Sequence, residues 1–158
     1  FAEDATITPA NSSSISDGAS ALLLASEEAA NAHGLTPRAR IVAHARNSLA
    51  PESFTLAPIG AAEQVLAKAG WSAADVDLWE INEAFAMVTM LTTRALNLDP
   101  ACVNVHGGAC AQGHPVGSTG SRIIVTLINA LEHYGKKRGV AALCIGGGEA
   151  TAMAIELV

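Results

Sequence analysis

A chain of 158 residues that is 50% hydrophobic and 15% charged has the composition of a folded domain with a sizeable core, not of a disordered tail or a solvated linker. Nine basic residues against 15 acidic ones leave a formal net charge of −6, which argues against a nucleic-acid partner or an anionic-lipid surface. The longest apolar run, residues 140–145, is far short of the ~18 residues that span a bilayer.

No basic-then-apolar leader is visible, and three cysteines (Cys102, Cys110, Cys144) cannot all pair within one chain, so a reduced, cytoplasmic protein is expected. The chain opens at Phe1, inside sequence already patterned as a fold, and therefore reads as a piece of a longer protein.

Residues 8–18 are small and polar, as in a loop that lets its backbone approach a neighbour. Residues 19–25 form a short apolar run and are taken as a strand, because Ser26 with Glu27 and Glu28 reads as a helix start. That helix stops at Gly34. Residues 39–45 read as a strand. Pro58 opens a helix over 59–69, with Gly70 as its stop. The Ser72-Ala-Ala-Asp75 segment is a capping-box variant ahead of a strand over 76–81. A helix follows over 83–96, then a short strand over 103–105 and a glycine-rich loop through Gly117. Residues 119–134 form a heavily buried helix closed by Gly135. Strands over 140–145 and 151–158 flank Gly146-Gly147-Gly148 as an antiparallel hairpin. Alternating strands and helices define an α/β fold, with helices covering a mixed sheet.

Three clusters stand out: Asn82-Glu-Ala-Phe85, Gly113-His114-Pro115 and Cys144-Ile-Gly-Gly-Gly148. Each follows a predicted strand end or nearly so, the edge where α/β sheets place their ligands. Cys102, His106, Cys110 and His114 recur every four residues, a spacing that would suit zinc on one helix face. Gly107-Gly108, Gly113 and Pro115 break such a helix, so no metal site is expected. His114, held in a loop, reads either as a structural histidine or as the partner of a reactive thiol. Cys144 is a small buried hydrophobe or a functional thiol, and the glycines behind it are a permissive turn or N–H donors to an oxyanion. Asn82 is an N-cap or a functional amide.

Taken in order, Asn82-Glu-Ala-Phe85, Asn104-Val-His-Gly-Gly-Ala-Cys-Ala-Gln-Gly-His-Pro115 and Cys144-Ile-Gly-Gly-Gly148 closely resemble the motifs of the thiolases. Asn11-Ser-Ser-Ser-Ile-Ser-Asp-Gly18 is similar to a fourth motif of that family, so the resemblance covers essentially the whole chain. It implies two similar α/β halves sharing an active site, with residues 1–34 as the tail of the N-terminal half (a CoA-contacting loop, one strand and one helix). Residues 35–158 would be the C-terminal thiolase domain, an α/β half with a five-stranded mixed sheet sandwiched between helices.

The same resemblance implies an acyl-cysteine mechanism whose nucleophile lies outside this chain, so the fragment alone would be inactive. His114 would activate that nucleophile and, with a water held by Asn82, bind the thioester oxygen. Cys144 would be the acid/base at the substrate α-carbon or the leaving thiol, and the Gly146 N–H would serve a second oxyanion hole. Ser13 would contact the pantetheine arm, and Ala84 and Phe85 would line the acyl pocket. Cys110 replaces an aliphatic residue of the motif and is expected to pack. The implied parent is an acetyl-CoA C-acetyltransferase of fatty-acid metabolism, acting on acetyl-CoA and acetoacetyl-CoA without a cofactor, as a homotetramer. The alternatives are a degradative 3-ketoacyl-CoA thiolase and a non-catalytic CoA-binding or assembly domain.

Overall fold

Successive strand residues point to opposite faces of a sheet, and here each face meets a helix whose apolar stripe matches it. The computed structural model describes residues 4–158. Four strands among those residues, β1 (Ala39–Ser48), β2 (Leu78–Ile81), β3 (Arg138–Cys144) and β4 (Glu149–Leu157), form one sheet in the order β1-β4-β3-β2. β4 is antiparallel to both of its neighbours, and β2 runs parallel to β3. The parallel pair requires a long crossover, which carries the helices α3 (Ala86–Ala95), α4 (Ala109–Gln112) and α5 (Thr119–His133).

Helix α1 (Glu27–Ala32) precedes the sheet, and α2 (Ala57–Ala69) lies between β1 and β2. One face of the sheet packs Trp79, Ile81, Val140, Ala142, Ala152 and Ala154 against Ala61, Ala62 and Val65 of α2. The alanines let that helix approach closely. The other face packs Leu78, Ala141 and Ile155 against Ile123, Leu127 and Leu131 of α5. The predicted caps form as read: Ser26 accepts from the Ala29 N–H, Gly70 ends α2 at φ +69°, and Ser72 with Asp75 completes a capping box.

Three expectations are corrected. The sheet has four strands, not five: of residues 103–105, only Val103 bridges to Trp79. The Asn104 side chain takes over at the next position, its Oδ1 accepting from the Ile81 N–H at 2.8 Å and its Nδ2 donating to the Ile81 carbonyl at 2.9 Å. A side chain that occupies both backbone groups of an edge residue leaves nothing for a further ladder. Residues 19–25 form no strand, and Leu23 and Leu24 are 81% and 72% exposed. An apolar run becomes a strand only where a sheet edge pairs with it. The predicted 83–96 helix starts later, at Ala86, because residues 83–85 are committed to the contacts described below. Residues 1–3 of the predicted tail lie outside the described residues.

Candidate active site

Parallel strands end at the same edge, so β2 and β3 bring Asn82 and Cys144 to one side of the sheet. The Asn82 N–H donates to the Ala142 carbonyl at 2.9 Å, continuing the ladder one residue past β2. Asn82 is 1% exposed, and neither its amide oxygen nor its amide nitrogen has a hydrogen-bond partner among the described residues. Cys144 closes β3 and is buried. Burial pushes its thiol above the ordinary range, so it carries its proton at neutral pH.

Beyond Cys144 the chain turns tightly, with the Ile145 N–H donating to the Glu149 carbonyl at 2.7 Å and the Gly148 N–H to the Ile145 carbonyl at 3.1 Å. Gly148 sits at φ +98°, and a side chain there would run into the Leu49 carbonyl. Gly146 is exposed, takes no part in these turn bonds and has open space where a Cβ would stand.

The connection after β2 carries the second group. Ser13 donates twice to the Ala84 carbonyl, from its N–H at 3.1 Å and its hydroxyl at 3.0 Å. Ser12 bridges to Phe85, whose ring meets Phe54 edge-on at 6.1 Å between centroids. Glu83 accepts from the Cys110 N–H at 3.1 Å. Gly108 is small because any side chain there would enter the Glu83 carboxylate. The His114 N–H donates to the Ser14 carbonyl at 2.9 Å, so the same 12–15 segment ties His114 to Ala84 and Phe85.

The protonation of His114 follows from its neighbours. Its Nδ1 lies 2.7 Å from Thr119 Oγ1, and that hydroxyl is also 3.0 Å from the Pro115 carbonyl, which already accepts the Ser118 and Thr119 N–H groups. Thr119 thus holds the imidazole at Nδ1, and Nε2 is the ring nitrogen left for chemistry. Burial, and then the Arg122 charge, hold the imidazole below its ordinary range, so it is a neutral base at pH 7.

The structure thus joins Ser13, Ala84, Phe85 and His114 through backbone bonds, and it sets Asn82 beside the strand that ends in Cys144. Gly146 stands apart on the hairpin turn. The four-residue recurrence of cysteine and histidine does not share a face: Cys102 ends a 3-10 turn, and His106 packs against His133 and Tyr134. Cys110 lies in α4, and its thiol is pushed up by burial and then by Glu83, as suits a packed residue. Glu80, Thr119 and Arg122 lie outside the residues singled out in the sequence, and Glu83 and Asn104 stand in its motifs without a role of their own. Glu80 carried a visible signal, since a carboxylate between Trp79 and Ile81 interrupts an apolar strand. The others depend on contacts that no local pattern announces.

Fold and site together define an α/β domain in which a buried amide and a protonated thiol stand at the end of a parallel strand pair, with a neutral imidazole tied to the connection after β2 through the 12–15 segment. Residues 35–157 match the family model described as the thiolase C-terminal domain. The chain belongs to the thiolase family. It is 50% identical over 151 residues to the cytosolic acetyl-CoA acetyltransferase of Mus musculus, covering 96% of this chain and 38% of that protein. Among solved structures it resembles the Bacillus anthracis acetyl-CoA acetyltransferase at TM-score 0.97 and 42% identity, over 100% of this chain and 40% of that one. It also resembles the Acat5 thiolase of Ascaris suum, solved with coenzyme A, at TM-score 0.90 and 41% identity, over 100% of this chain and 41% of that one. The chain therefore spans about two fifths of the length of the relatives it matches.

Proposed function

We propose that this chain is the C-terminal part of an acetyl-CoA C-acetyltransferase, which joins two acetyl-CoA molecules into acetoacetyl-CoA and CoA, reversibly. The observation that carries the reading is the imidazole held at Nδ1 by Thr119, which leaves Nε2 as the ring nitrogen to act as the base. Relatives named for this activity support it. Residues 1–34 are the tail of the N-terminal half and 35–158 the C-terminal domain, with the nucleophilic cysteine in the remainder of the protein.

His114 Nε2 takes the proton of that cysteine. The thiolate attacks the acetyl carbonyl, the bond from carbonyl carbon to CoA sulfur breaks, and the Cys144 proton goes to the departing sulfur. The Cys144 thiolate then removes an α-proton from the second acetyl-CoA. The enolate carbon attacks the acyl-cysteine carbonyl, and the nucleophile leaves and recovers its proton from His114. A thiol raised by burial suits this cycle, being a weak acid at rest and a strong base once ionised. Asn82 holds a water that, with His114, binds the thioester oxygen, and the Gly146 N–H serves the second oxyanion. Ser13 meets the pantetheine arm, and Ala84 and Phe85 line the acyl pocket. The CoA thioesters are substrates, and no cofactor takes part. The full protein is read as a cytoplasmic homotetramer of fatty-acid metabolism.

The test uses the full-length protein. Cys144→Ala should still release one stoichiometric burst of CoA from acetyl-CoA, slowed because the leaving sulfur has lost its proton donor, and then turn over at least ~10²-fold more slowly than wild type. His114→Ala should lose the burst itself. Equal loss of the burst in both variants would refute this division of labour.

A further inference from the structure

Asn82 stands between two residues that are tied to the same distant loop. On one side, both backbone groups of Ile81 bond to the Asn104 side chain. On the other, the Glu83 carboxylate accepts the Cys110 N–H at 3.1 Å, and the Glu83 carbonyl accepts from Cys110 Sγ at 3.8 Å. Residues 104–110 are thereby pinned to the end of β2 at points that flank Asn82. Asn82 is 1% exposed and its side chain makes no hydrogen bond among the described residues, so its distance from the loop is set by these neighbours.

The same loop leads directly to His114. Cys110 lies in the single turn of α4, which Gly113 closes by donating its N–H to the Ala109 carbonyl at 2.9 Å, and His114 follows at once. A displacement at Cys110 is therefore carried to the imidazole. At Gly108 the backbone is extended (φ −116°, ψ −173°) and would suit any residue, yet the nearest atoms to a Cβ there all belong to the Glu83 side chain. The other tie between Ala84 and His114 passes through the 12–15 segment, whereas Glu83 joins the two elements directly.

We infer that Glu83 is a positioning residue, its carboxylate clamping the loop that carries His114 against the strand end that carries Asn82 and so setting the spacing of those two groups. The catalytic consequence rests on the roles proposed above for Asn82 and His114, but the clamp is measurable without them. An acceptor oxygen is all that the Cys110 N–H requires, so glutamine can replace Glu83 and alanine cannot.

The experiment compares Glu83→Ala with Glu83→Gln in the full-length protein. Hydrogen exchange read by peptide mass spectrometry reports the clamp: Glu83→Ala should speed exchange in the 108–113 peptide ~10-fold or more, and Glu83→Gln should keep the wild-type rate. Rapid mixing with acetyl-CoA reports its use: Glu83→Ala should slow the CoA burst by ~10–100-fold with the KM for acetyl-CoA within about threefold, and Glu83→Gln should recover most of that loss. Added to Asn82→Ala, Glu83→Ala should cost little more, because the amide it positions is gone. Gly108→Ala, which drives the carboxylate off the turn, should imitate Glu83→Ala and supplies the same test where that variant does not fold. An unchanged exchange rate in Glu83→Ala or Gly108→Ala, or equal acceleration by Ala and Gln at position 83, would overturn the clamp. Burst losses that multiply between Glu83→Ala and Asn82→Ala would overturn the positioning of that amide. A wild-type protein that gives no CoA burst would refute the acetyltransferase reading instead, and the exchange rates would still decide the clamp.

Discussion

Asn104→Ala should destabilise the chain by about 2–4 kcal/mol. Asn104 completes the edge of β2 with its side chain: Oδ1 receives the Ile81 N–H and Nδ2 donates to the Ile81 carbonyl. The carbonyl keeps a second donor, Thr89 Oγ1 at 3.3 Å, so there the loss is that of one ordinary bond, about 1 kcal/mol. The N–H has no such reserve, and stranding it beside a core residue that is 1% exposed costs a further ~1–3 kcal/mol. Asn104 also sits at φ +48°, which asparagine tolerates better than alanine. Asn104→Gly should therefore lose the amide bonds without the backbone penalty and fall short of the alanine loss, unless its added unfolded-state entropy offsets the gain. Urea unfolding followed by tryptophan fluorescence reports locally, because the neighbouring Trp79 is buried and its carbonyl accepts from the Asn104 N–H at 2.8 Å. For a chain of this length the loss corresponds to roughly 5–15 °C in Tm. A loss below about 1 kcal/mol for Asn104→Ala would refute the idea that this amide stands in for a strand.

Two further outcomes are expected. Glu80 is an acid whose folded-state pKa is raised to about 7, so the folded state binds more protons than the unfolded state between the two values. Stability should decline as pH rises from the ordinary carboxylate range through about 7 and then level off, by about 3 kcal/mol at most, and Glu80→Gln should flatten that decline in urea titrations from pH 4 to 9. On the hairpin, Gly148→Ala should cost about 2 kcal/mol or more in thermal melts, since it is left-handed and abuts the Leu49 carbonyl. Gly146→Ala, with open space on its Cβ side, should leave the melt unchanged, and a large shift there would contradict the hairpin geometry.

Local chemistry along the chain determined the helix ends and the hairpin. Ser26, Gly70 and the Ser72–Asp75 box act through bonds within a few residues of themselves, and the apolar periods sorted helices from strands. The family was legible for the same reason: its motifs are short, contiguous and ordered, so Ser13, Asn82, His114 and Cys144 could be singled out before any geometry was known. Tertiary structure decided what those residues touch. A run such as 19–25 has strand composition whether or not an edge is there to pair with it, and residues 103–105 yielded their place in the sheet to the Asn104 side chain. The hydrogen bond at His114 Nδ1 depends on Thr119 at the start of α5, and the burial of Glu80 on α5 lying over β2. Hydrogen bonds and desolvation at those sites come from partners distant in the chain, or from competition between donors, and periodicity encodes neither.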